Sequence, residues 1–216
     1  MKLILLVQDM DDSLLRIQEN MEMKGEVHKM PILGRKDKRY NDAAKLLAGG
    51  HIEDAIELLE ALLSDQPDNL NGMITLAVAL LEVQEELDSK DPRTERAFDL
   101  LDRAALLSPR DTVPLFNKAV SLRKLGLLKE ALTTFQKVLE IDDRNTLSIL
   151  HMAEINYELE NWQEAVDLAR LALIRDPGVE EALSWVKDAM IKGGMIENDL
   201  NLAKDKLPPR ESHELE

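Results

Sequence analysis

Apolar residues along this chain recur at steps of three and four, the spacing of a helix face. Leu115, Ala119 and Leu122 form one such stripe, and Ala131, Phe135 and Val138 form a second. Side chains three and four apart lie above one another on a helix, so each stripe predicts an amphipathic helix with one buried face. Gly126 separates the two stripes, where a tight turn tolerates positive φ. The stretch therefore predicts a helix, a turn and a second, antiparallel helix. Turn and cap residues bound such pairs: Ser108-Pro109-Arg110-Asp111-Thr112, Asp142-Asp143-Arg144-Asn145 and Asp176-Pro177-Gly178. In each, Pro or Asp stops one helix and Asp, Thr or Asn is suited to cap the next.

The pattern repeats. Ala55, Ala97, Ala131 and Ala165 are 42, 34 and 34 residues apart. Ala43, Ala77, Ala119 and Ala153 are spaced 34, 42 and 34, and Pro67, Pro109, Asp143 and Pro177 again 42, 34 and 34. Three columns share one period, and each carries the same single irregularity of eight extra residues. The alanines have a steric reason: only a small side chain at a helix crossing lets two axes approach closely.

A 34-residue helix–turn–helix with small residues at its eighth and twentieth positions and Pro at its thirty-second resembles the tetratricopeptide repeat. Leu76, Gly126, Phe135, Tyr157, Pro67, Pro109 and Pro177 match that pattern, whereas Arg39 and Asp42 stand where the family carries large apolar residues. The resemblance implies an all-α fold, a right-handed α-solenoid of helix–turn–helix repeats. It places the units at 36–69, 70–111, 112–145 and 146–179. Residues 180–192 continue as one amphipathic helix through Leu183, Val186 and Met190, and 180–207 is expected to cap the stack, hiding its last apolar face. Residues 208–216 lack periodicity and are expected to be a disordered tail.

The eight extra residues lie near 83–96. They equal about two helical turns, so the expectation is lengthened helices, with Glu82 to Leu87 extending the first and Asp91-Pro92 starting the second; a loop is the alternative. Residues 1–35 fall outside the register. Leu14, Ile17 and Met21 form a stripe there, followed by Met23, Met30, Pro31, Ile32 and the basic Arg35, Lys36, Lys38 and Arg39. This segment is either a helix packed on the first repeat or an arm that engages another molecule, since Met-rich apolar faces adapt to several surfaces.

Composition narrows the function. The 216 residues carry no cysteine, which excludes thiol catalysis and Cys-based metal sites. A net charge of −15 makes nucleic acid a poor partner, because phosphates are repelled on average. No apolar stretch approaches the roughly 20 residues of a membrane span. The apolar run after Lys2 is too short for a signal peptide and is followed by Asp9, Asp11 and Asp12, so a cytoplasmic location is expected. Gly49-Gly50 and Gly193-Gly194 lack the companions of a phosphate loop, and His28, His51, His151 and His213 are too scattered to share a metal. No cofactor, metal or catalytic residue is expected.

A surface remains. The resemblance implies that the first helix of each unit lines a concave groove. Carried over position by position, the groove residues are Tyr40, Asn41, Leu47, Thr75, Phe116, Asn117, Arg123, Lys124, His151, Glu154 and Tyr157, with Trp185 following; Ile74, Val78, Val120 and Leu150 belong either to it or to the core. Some family members grip the C-terminal carboxylate of heat-shock chaperones with a Lys–Asn–Asn–Lys–Arg clamp. The corresponding positions here are Tyr40, Ala44, Thr75, Val113 and Asn117, or one unit on Ile74, Val78, Asn117, Leu147 and His151, so that role is not expected. The expected function is a non-catalytic adaptor holding a peptide or protein segment. The competing expectation is a self-associating scaffold using Leu14, Ile17 and Met21.

Overall fold

The structure, a computed structural model, describes residues 38–196. The helices fall into two compact units, one ending at Asp142 and the other beginning at Asp143. The first contains α1 (Lys38–Ala48), α2 (Ile52–Asp65), α3 (Leu70–Glu82), α4 (Pro92–Leu107), α5 (Val113–Lys124) and α6 (Leu128–Ile141). The second contains α7 (Thr146–Glu158), α8 (Trp162–Arg175), a 3-10 helix (Pro177–Leu183) and α9 (Val186–Lys192). No strand occurs among the described residues.

In the first unit α1 packs on α2, α3 on α4 and α5 on α6, while α1, α3 and α5 lie side by side. Ala43, Ala55, Ala77, Ala97, Ala119 and Ala131 are completely buried there, as are Ala153 and Ala165 in the second unit. All eight repeat alanines therefore sit inside, as the steric argument required. Helix α3 touches α1, α2, α4 and α5. Every residue from Gly72 to Leu81 is consequently buried, and α3 is apolar all round instead of amphipathic.

The turns that follow α1, α5, α7 and α9 are built the same way, unlike the connection from α3 to α4. In the first unit, His51 N–H donates to the Leu46 carbonyl (2.9 Å) and Leu127 N–H to that of Leu122 (2.9 Å). In the second, Asn161 N–H donates to Asn156 (2.8 Å) and Met195 N–H to Met190 (2.8 Å). These are the long bonds of a Schellman C-cap, which needs a left-handed residue just before the donor. Gly50, Gly126 and Gly194 supply it at φ 79°, 73° and 68°, whereas Glu160 adopts φ 62° without glycine's freedom. First helices are capped in turn by Asn69, accepting from Gly72 N–H, and Asn145, accepting from Ser148 N–H, both at 2.9 Å.

The extra residues form a pinned loop and do not lengthen both helices. Helix α3 has 13 residues, the same as α7, and only α4, with 16 against 14 in α2, is longer. The Gln84 amide donates to the Leu80 carbonyl at 2.9 Å, taking the acceptor that a continuing helix would offer to the backbone N–H of Gln84. The same side chain bonds the buried Thr94 hydroxyl at 3.2 Å, and Leu87 packs on the core. Asp91 does start α4 with Pro92 in its first turn, accepting from Arg93 N–H at 2.7 Å. Side-chain and backbone hydrogen bonds from Arg93 hold the Asp91 carboxyl at a pKa of about 2.

The segment 180–192 is likewise not one helix. The 3-10 helix ends at Leu183, and α9 starts only after Ser184 and Trp185. Gly178 is a poor helix former, and the Asp176 carboxylate accepts from its N–H at 2.8 Å. The remainder of the expected cap, the tail, and Leu14, Ile17 and Met21 of the expected arm lie outside the described residues.

Candidate functional site

The first-helix residues divide into core and surface. In the first unit Thr75 is 1% exposed, between the buried Ile74 and Val78, so α3 contributes these three to the core. Phe116 is 4% exposed and meets the buried Phe135 edge-on, with centroids 5.7 Å apart. Asn117 is fully buried; its amide donates to the Val113 carbonyl at 2.9 Å and Ser121 Oγ donates to its backbone carbonyl at 2.8 Å. Thr75, Phe116 and Asn117 are thus buried, whereas a groove-lining position was expected to be open. Tyr40 is half-buried against the core, Arg123 is half-buried, and Asn41 and Lys124 are exposed.

Lys124 lines a cavity of about 260 Å³ together with Leu81, Glu82, Gln84, Glu85, Leu87 and Ser121. It opens where the ends of α3 and α5 face the pinned loop. Two leucines give it apolar walls, and two carboxylates and an ammonium mark its rim. Glu82, Gln84, Glu85 and Leu87 escaped the sequence-based selection, which gave the insertion no place in the surface. Their signal was the insertion itself, since long connections are often functional.

In the second unit, His151 and Glu154 are brought together on α7, Nδ1 to carboxylate at 3.5 Å, both half-buried. Tyr157 and Trp185 also meet, with ring centroids 4.9 Å apart and planes tilted by 43°. Trp162 completes the group, 5.4 Å from Tyr157 and edge-on. The Tyr157 hydroxyl donates to Asp188 Oδ2 at 2.6 Å, and Lys192 Nζ lies 2.7 Å from the same oxygen. The Lys192 ammonium also stands 5.4 Å from the Tyr157 centroid and 5.2 Å from that of Trp162, within cation–π range.

The electrostatics follow from the geometry. Hydrogen bonds from Lys192 first, and from Tyr157, hold the Asp188 carboxyl below its ordinary value. The bond to Asp188 raises both the Tyr157 phenol and the Lys192 ammonium. Trp162, Asp188 and Lys192 were missed by sequence reasoning. A readable sign was present: Trp185, Asp188 and Lys192 step by three and four and stand 34 residues after His151, Glu154 and Glu158. The polar end of Tyr157 is satisfied within the unit by Asp188.

Among the described residues no three acidic or histidine side chains converge on a metal position. No described helix is long and apolar enough to cross a membrane.

Paired helices at a 34-residue period, alanine at every crossing and Schellman turns at equivalent positions define the class as an all-α tetratricopeptide solenoid fold. The family model described as tetratricopeptide repeat matches residues 115–142. Over 153 residues, 62% of this chain, the sequence is 25% identical to Hsp70-Hsp90 organizing protein 1 of Glycine max; the match spans 27% of that relative, about a quarter of its length. Among solved structures, a thermophilic tetratricopeptide protein of Thermus thermophilus superposes with TM-score 0.58 at 20% identity, covering 71% of this chain and 80% of that one. MamA superposes with TM-score 0.61 at 12% identity, covering 82% and 93%. The pilF protein of Pseudomonas aeruginosa gives TM-score 0.61 at 14% identity, covering 74% and 69%. These structural likenesses show a shared fold. Residues 115–142 thus match the tetratricopeptide repeat, and the described helices share the fold of tetratricopeptide solenoids.

Proposed function

We propose that this protein is a non-catalytic adaptor that holds a segment of a partner protein on the exposed surface of its first helices. The observation that carries the reading is the cavity of about 260 Å³ beside Lys124. It combines apolar walls with a charged rim, the make-up of a surface that anchors one side chain and orients its neighbours. The family's general role as a protein-interaction module supports the same reading.

The similarity to an Hsp70-Hsp90 organizing protein does not bring a carboxylate grip with it. Of the positions that would form the clamp, Thr75 and Asn117 are buried, and none carries Lys or Arg.

The test is a screen of the full chain against an immobilised library of short peptides, repeated with Lys124→Glu and Glu85→Lys. Both positions are exposed, so helicity by circular dichroism should be unchanged. The peptides retained should change in charge preference, with about tenfold weaker capture of those selected by the parent. Identical selection by all three proteins would reject the reading.

A second reading, a self-associating scaffold, has one observation in its favour. Leu106 and Leu107, neighbours at the end of α4, are 80% and 46% exposed, and Ile141 on α6 is 37% exposed, large apolar side chains left open in the first unit. Light scattering on the full chain and on a version lacking residues 1–35 decides it: a monomer in both cases rejects the scaffold.

A further inference from the structure

Lys192 occupies a setting built for a cation. Two aromatic faces lie within 5.4 Å of its ammonium, and a carboxylate held in the charged form stands 2.7 Å away. The lysine fills this setting loosely, since its side chain is 48% exposed, as is that of Asp188 at 47%. Tyr157 and Lys192 both use Oδ2 of Asp188; Oδ1 accepts no hydrogen bond among the described residues. A carboxylate can serve bidentate and multiple donors, so capacity for another cationic donor remains. The indole N–H of Trp185 is buried and unpartnered, so the ring is held by its faces and not by a polar bond.

We propose that Tyr157, Trp162, Trp185 and Asp188 form a subsite for a lysine or arginine side chain of a bound segment, and that Lys192 fills this subsite in the unbound protein. The proposal rests on the reading that first-helix surfaces hold a partner segment. Trp185 and Asp188 stand 34 residues after His151 and Glu154, positions expected to line that surface, and Lys192 follows one helical turn later. The basic class of the guest follows from the chemistry of the site. Aromatic faces present the negative end of their quadrupoles, the one acid is ionised, and the chain's net charge of −15 draws basic segments toward it. Replacing one ammonium by another costs little desolvation, and the incoming segment brings its own neighbouring contacts.

The two tryptophans of the chain, Trp162 and Trp185, are both in the cluster, so intrinsic tryptophan fluorescence reports on it alone. The full-length protein is titrated with tetramethylammonium chloride, with sodium chloride as the ionic-strength control, and with short acetylated peptides carrying lysine or norleucine at one position. In Lys192→Met the setting is vacated. Tetramethylammonium and the lysine peptide should then give saturable changes, with apparent affinity about fivefold higher than for the parent protein. Adding Asp188→Asn to that variant should remove most of the gain. A Lys192→Met protein with native circular dichroism that responds to tetramethylammonium only as it does to sodium chloride overturns the proposal. So does equal binding of the lysine and norleucine peptides. The charge-reversal screen at Lys124 and Glu85 is read separately. Its failure would reject the adaptor reading without touching this titration, and the reverse also holds.

Discussion

The hydroxyl of Tyr157 donates a 2.6 Å hydrogen bond to the carboxylate of Asp188, tying α7 to α9 across 31 residues of sequence. Asp188 simultaneously receives Lys192, and the two indoles close around the phenol. A seven-residue helix such as α9 has little stability of its own. This cluster therefore adds to the packing of α9 on α8, where Ala189 is completely buried.

The fastening should depend on pH in a defined window. Asp188 is depressed below 3.8, so its contribution is present above that value and is lost as pH falls through the folded-state pKa. Tyr157 is raised above 10.0, so its contribution is present below that value and is lost as pH rises through its own folded-state pKa. Tryptophan emission should be constant between these limits and red-shift outside them. Tyr157→Phe should remove most of the alkaline change, and an identical alkaline profile in that variant would contradict the bond.

Glu160 holds a left-handed backbone at φ 62° where equivalent turns carry glycine. Glu160→Gly should stabilise the fold by about 0.5 kcal/mol, the relief of αL strain exceeding the added chain entropy. Gly126→Ala, at φ 73° with open space around the new methyl, should cost about 1 kcal/mol through backbone strain alone. Chemical denaturation of the two variants checks both signs.

Ala131 is completely buried where α6 meets its neighbours. Ala131→Leu should destabilise by about 1–3 kcal/mol because packed helices cannot separate without losing contacts elsewhere. Ala105→Leu, on the same kind of helix but only half-buried, should cost much less. Equal midpoints for the two would deny that the alanine columns mark crossings.

Asp91 caps α4 and bonds the guanidinium of Arg93 at 2.6–3.2 Å. Its carboxyl, held at about 2, favours folding above pH 3.8 and loses that effect as pH falls through about 2. Asp91→Asn should lower the melting temperature at pH 7, and the gap to the parent should close below about pH 2. A gap constant from pH 7 down to pH 2 would show that the charge is not what matters.

Much of this architecture is written in local spacing. The alanine columns, the turn at Gly126 and the caps at Asn69, Asn145 and Asp91 each depend on residues within one helix pair, so period and side-chain chemistry reveal them. The candidate surface was less legible. Thr75, Phe116 and Asn117 occupy exposed register positions in the family pattern, yet they are buried because α3 is enclosed by four helices and Phe135 reaches Phe116. The insertion departed from expectation for a similar reason. Eight residues suit two helical turns by arithmetic, but the Gln84 side chain takes the Leu80 carbonyl and bonds Thr94 ten residues on, ending the helix.

The sequence by itself determined the repeat, its period, the antiparallel pairing and the residues that must be small, because these follow from helix geometry and the steric limits of close approach. Only the tertiary structure decided which first-helix residues face outward, that the insertion forms a cavity, and that Tyr157, Trp162, Trp185, Asp188 and Lys192 converge. Those outcomes depend on neighbours tens of residues away, and no local periodicity specifies whether a side chain meets solvent, core or a charge on another helix.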